Sequence, residues 1–208
     1  MPYETARLLA YQSYQHWIST ELFSFGWFVT VGVLTVVYTV WLKLVDTSRI
    51  RDLLLLGTLS AMGLTIADMI LFGYFGVAQY KISVTPVEPP IFTIAVTIAP
   101  ILYMLVQQYT SSWKSYVLWA VIGTAVLNFG LLPIYALLGI FQLQHWNYFY
   151  HFLLILTDGM IARGILLWMI RLESQSVHGR VSSTVYGLQP VATKPLVSDK
   201  EDTADNDD

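Results

Sequence analysis

Two aspartates, Asp68 and Asp158, and one arginine, Arg163, stand inside apolar runs of membrane-crossing length. An ionisable group at the middle of a membrane helix costs at least about 2.5–3.5 kcal/mol on insertion scales, so each must face protein, trapped water or a ligand. Counted at 1.5 Å per residue, Asp68 falls roughly 14 Å and Asp158 roughly 17 Å from the same end of their segments. Two carboxyl groups at one depth are able to share a proton, as a proton relay or an acid/base pair requires. Asn128 falls within about one further turn, and Arg163 about two turns beyond Asp68. His151 and Asp158, seven apart, share a helix face; so do Thr124, Asn128 and Tyr135, while Thr93, Thr97, Met104 and Gln108 form another stripe. Thr58 and Thr65 lead to Asp68 in the same way.

Asp158 and Arg163 are five apart, about 140° round a helix, and are poorly placed to pair with each other. Arg163 is therefore expected to reach a partner on another helix or to extend toward the membrane surface. Pairing with one aspartate would leave the other needing a proton, a water or a ligand. Asp158 is the candidate for that role, because it shares a face with His151, which lies nearer water and is able to pass protons. The plainer alternative is that the stripes are interhelical hydrogen bonds, at about 0.6–2 kcal/mol each. Glu88, in the Pro-rich stretch Pro86-Val-Glu-Pro-Pro-Ile-Phe92, opens the third apolar run. It either caps a helix whose dipole favours a carboxylate or stands over a cavity entrance. His145 and His151 are six apart and do not match the i, i+4 pairing of helix-borne metal ligands, so no metal and no other cofactor is expected.

The elements that position these residues follow from composition. With 55% hydrophobic and 12% charged residues, the chain is far from the roughly 25% charge of a soluble domain, and its mean hydropathy is +0.57. The absence of cysteine excludes disulfides and thiolate chemistry. There is no basic patch for a nucleic acid. Apolar spans are expected near 22–44, 53–77, 91–108, 116–141 and 146–170, giving an all-α integral membrane five-helix bundle over residues 21–171. Pro100, Gly130 and Pro133 are expected to break or kink the third and fourth. Residues 1–20, with Glu4 and Arg7 among aromatic and polar residues, read as an interfacial segment or a frayed terminus rather than a cleaved leader. Residues 172–208, rich in Ser, Thr, Gly and Pro and acidic at the end, read as a disordered cytoplasmic tail.

Lys43, Arg49, Arg51, Lys114, Arg171 and Arg180 fall on one side of this arrangement, and only Arg7 and Lys81 on the other. The excess of basic residues marks the cytoplasmic side, which puts the N-terminus outside and the C-terminus inside.

The Asp68-Met-Ile-Leu-Phe ending of the second span, Pro100 in the third, the short Trp113-Lys114 loop, Trp146 opening the last span and Arg163 in its second half run over about residues 25–171. In these features the chain resembles a family of uncharacterised small multi-pass membrane proteins of spore-forming Gram-positive bacteria. The resemblance implies a bacterial plasma membrane and supplies no chemistry.

Two functions of different class fit these residues. One is a membrane protein whose polar intramembrane cavity, lined by Asp158, Asp68, His151, Asn128, Arg163, Glu88 and Gln108, binds a small lipophilic molecule or lipid in a sensing or accessory role, as a homo-oligomer or with a membrane partner. The other is a membrane-embedded enzyme or proton-coupled carrier that acts on a lipophilic substrate through its carboxylates.

Overall fold

The computed structural model describes residues 2–86 and 93–187. The chain divides into two units, Met1–Trp168 and Met169–Asp208. The first is mostly helical, and its core is built around α3 (Ile50–Asp68), which packs most extensively on α4 (Ala99–Tyr109). Four helical stretches are long and apolar enough to cross a membrane: Phe25–Leu44, Thr47–Tyr74, Trp113–Leu137 and Tyr148–Gln175. The expected third span is, among the described residues, a shorter apolar helix over Ile94–Tyr109.

The chain opens with α1 (Pro2–His16), whose described side chains are mostly exposed, and a π-helical turn at Trp17–Glu21. Ser24 then caps α2 (Phe25–Leu44) by accepting from the Trp27 amide at 3.2 Å. Valine and threonine dominate α2 and are weak helix formers in water, but a lipid-exposed backbone must bond within its own segment. Between α2 and α3, Asp46 accepts from the Ser48 hydroxyl and amide at 2.6 and 2.9 Å, and these bonds hold its carboxyl below the usual range.

The breaks at prolines take a specific form. Ahead of Pro100 the turn Ile94–Ile98 is π-helical, with the Ile98 amide donating to Thr93 five residues back at 3.2 Å. The fourth span is two helices, α5 (Trp113–Val126) and α6 (Leu132–Leu137), joined by a π-turn at Leu127–Leu131 just before Pro133. Proline lacks the amide and its ring collides with the carbonyl four residues back; widening the turn removes the collision while keeping the helix continuous. A fourth π-turn, Met69–Tyr74, follows Asp68 directly.

One element has no counterpart in the sequence reading. β1 (Ala78–Tyr80) and β2 (Phe141–Leu143) form an antiparallel ribbon, Ala78 opposite Leu143 and Tyr80 opposite Phe141, that ties the α3–α4 connection to the chain that follows α6. Asn147 opens α7 (Tyr148–Gly187) by accepting from the Tyr150 amide at 2.9 Å. The expected tail boundary at residue 172 falls inside this helix, where Leu172, Glu173 and Gln175 are good helix formers. Residues 188–208 and Glu88 lie outside the described residues.

Candidate functional site

The face of α7 that carries His151 and Asp158 meets two different helices. His151 Nδ1 lies 2.6 Å from Asn128 Oδ1, and Asn128 Nδ2 donates to the Thr124 carbonyl at 2.8 Å. Because the amide nitrogen of Asn128 is committed to a carbonyl, its oxygen faces the imidazole and must accept. His151 is thus the tautomer with a proton on Nδ1, and Nε2 is the basic nitrogen. The ring stacks on Phe72 with centroids 5.9 Å apart and touches Phe141, and both His151 and Asn128 are buried. Asn128 reaches this position from inside the π-turn that Pro133 imposes.

Asp158, seven residues along, turns to α3. Ser60 Oγ donates to its Oδ2 at 2.6 Å, and Gly63 leaves the space that Oδ1 fills, since a Cβ on Gly63 would overlap that oxygen. The backbone of α7 is gripped on either side of it: Tyr103 of α4 donates to the Ile155 carbonyl at 2.6 Å and Tyr116 of α5 to the Gly159 carbonyl at 3.0 Å. Gly159 has no side chain where the Tyr103 ring lies. Each tyrosine gives a helix carbonyl a second donor and fixes the rotation of α7, hence the direction in which Asp158 points.

Asp68 is 7% exposed and has no hydrogen bond or ion pair among the described residues. Its neighbour across the ribbon end is Tyr80, whose phenol is pushed up by burial and further by the Asp68 carboxyl. The two aspartates lie along the same α3–α7 seam, near enough for their carboxyls to interact electrostatically. Gly63 and Ser60, which receive Asp158, precede Asp68 by five and eight residues on α3, a rise of about 7.5 to 12 Å.

Arg163 pairs with neither acid. Its guanidinium lies 4.1 Å from the ring centre of Tyr116 and 4.9 Å from that of Trp113, with Nη1 reaching Thr110 Oγ1 at 3.4 Å. The 140° offset from Asp158 turns the side chain toward the start of α5, where a flat, weakly hydrated cation is favoured on aromatic faces. At 2% exposed it is a buried charge enclosed by rings.

Gln108 clamps the C-terminal end of α2: its Oε1 accepts from the Asp46 amide at 2.8 Å and its Nε2 donates to the Leu44 carbonyl at 2.7 Å. The residues that sequence reasoning missed are Ser60, Gly63, Tyr103 and Tyr116. One signal for the first two was present, since Gly57, Ser60 and Gly63 place small residues at successive three-residue steps along α3, a pattern that lets helices approach closely.

The site therefore comprises Asp68 and Asp158 on one polar column between α3 and α7, with the His151–Asn128 pair at the ribbon end and caged Arg163 at the other. No protein-family model, curated protein or solved structure matches this chain.

Proposed function

We propose that the protein is a plasma-membrane protein of five crossings, N-terminus outside and C-terminus cytoplasmic, whose polar column binds a small lipophilic molecule carrying a cationic or hydrogen-bond-donating group, in a sensing or accessory role. The fifth crossing in this reading is Ile94–Tyr109, about 24 Å long at 1.5 Å per residue. The single observation that carries the ligand is that neither Asp68 nor Asp158 meets a cation among the described residues, while the intramembrane arginine is occupied by aromatic rings. A carboxyl group held at membrane depth without a cation takes up a proton or meets a water or a ligand, and a ligand cation or donor satisfies it most fully. A second reading, a membrane-embedded enzyme or proton-coupled carrier acting on a lipophilic substrate, is favoured by His151, whose fixed tautomer leaves Nε2 as a base without a partner among the described residues.

The test is thermal unfolding of the purified protein with a panel of lipophilic primary and tertiary amines. A binder at one hundred times its Kd stabilises the wild type by about 2.7 kcal/mol. Asp158→Asn keeps an acceptor for Ser60 and is expected to unfold within about 1 kcal/mol of wild type, yet to lose that stabilisation, as is Asp68→Asn. Equal stabilisation of wild type and both variants would remove the acids from the binding site.

A further inference from the structure

A second site lies on the lipid-facing side of the bundle, away from the carboxylates. Between α2 and α5, with α4 recessed behind them, runs a groove of about 440 Å³ whose walls are almost wholly apolar, among them Val36, Val40, Leu102, Trp119, Ile122 and Val126. It exists because α2 is loosely packed: 11% of that span is buried, against 28–33% of the other three. Gly123 admits Leu102 deep into the floor.

We propose that this groove holds one acyl chain of an anionic phospholipid from the bilayer, with the lipid phosphate at Lys43. Lys43 is seven residues from Val36 and three from Val40, on the same stripe of α2, so it stands at the groove's end at headgroup level. It is exposed and makes no ion pair among the described residues. A basic residue at a membrane surface attracts anionic lipid. The walls also argue against a second helix as the occupant. Membrane helices pack through small residues that let backbones approach, whereas the groove is rimmed by valine, isoleucine and tryptophan. A flexible chain conforms to such walls.

The full-length protein, purified in detergent and loaded with either phosphatidylglycerol or phosphatidylcholine, is washed and weighed by native mass spectrometry. One phosphatidylglycerol is expected per chain. Val40→Trp fills the groove and should lower retention about tenfold. Lys43→Gln should lower phosphatidylglycerol retention roughly fivefold, the share of one surface lysine, and leave phosphatidylcholine unchanged. Val36→Phe narrows the same groove and replaces Val40→Trp if that variant does not purify as a monodisperse species. Unchanged retention in the groove variants, or equal retention of both lipids with no effect of Lys43→Gln, overturns the proposal. So does efficient oxidative cross-linking of Val40→Cys in nanodiscs, because the chain has no cysteine and such a bond would put a second copy in the groove.

Discussion

Replacing Gly63 by leucine is expected to destabilise the bundle by about 2–6 kcal/mol, more than removing either intramembrane carboxyl. Forcing methylenes into packed space costs about 1–3 kcal/mol. Here the obstacle is the Asp158 carboxyl itself, which would also be driven off Ser60, and a charged or buried acceptor left without its donor adds about 1–3 kcal/mol. The cause can be isolated with smaller changes followed by thermal unfolding in detergent. Gly63→Ala should be clearly destabilising in the wild type and cost less than about 0.5 kcal/mol in an Asp158→Ala background, where the clash is gone. A penalty that persists in that background would mean that Gly63 serves some contact other than Asp158.

The second large effect is expected at Tyr116. Its side chain is fully buried, its hydroxyl holds the Gly159 carbonyl and its ring covers Arg163. Tyr116→Ala removes a core aromatic at about 3–5 kcal/mol and takes with it a cation–π contact of up to about 2 kcal/mol, leaving the guanidinium against Trp113 alone. Tyr116→Phe keeps the ring and forfeits one hydrogen bond, about 1 kcal/mol. Arg163→Met is expected to recover much of the loss in the Tyr116→Ala protein, since it removes the charge that the missing ring exposed. If alanine and phenylalanine behave alike, the ring does not carry the arginine and the aromatic cage is not what stabilises it.

These two sites show what the sequence made legible and why the rest was hidden. The long helices could be read because lipid demands an unbroken apolar run, and Thr124, Asn128 and Tyr135 do form one buried face as their spacing required. Pro100 and Pro133 marked the breaks correctly in position, but whether a proline kinks a helix or widens one turn depends on neighbours that no local pattern contains. The β1–β2 ribbon was invisible for a different reason. Ala78-Gln-Tyr and Phe141-Gln-Leu are too short to show a two-residue period, and they pair across more than sixty residues of chain. Arg163 was sought by a carboxylate because charge pattern suggests charge partners; a cation held by ring faces leaves no such mark. Gln108 lay on a polar stripe as expected, and only the meeting of two helix ends shows that its amide is used up by backbone groups. Asp68 and Asp158 were each found by type, while their separation depends on the relative register of α3 and α7, which segment lengths do not define.

The central claim is that the two carboxyl groups and Arg163 are not structural partners, so that the acids are free to serve a ligand. Double-mutant cycles test this most directly: Arg163→Gln with Asp158→Asn, and Arg163→Gln with Asp68→Asn, each compared with its single variants by unfolding in one detergent. The account predicts that the changes add, with interaction energies within about 0.5 kcal/mol of zero in both cycles. Rescue of Arg163→Gln by neutralising either aspartate, by more than about 1 kcal/mol, would reveal an ion pair and contradict the claim that the acids await a partner from outside the chain.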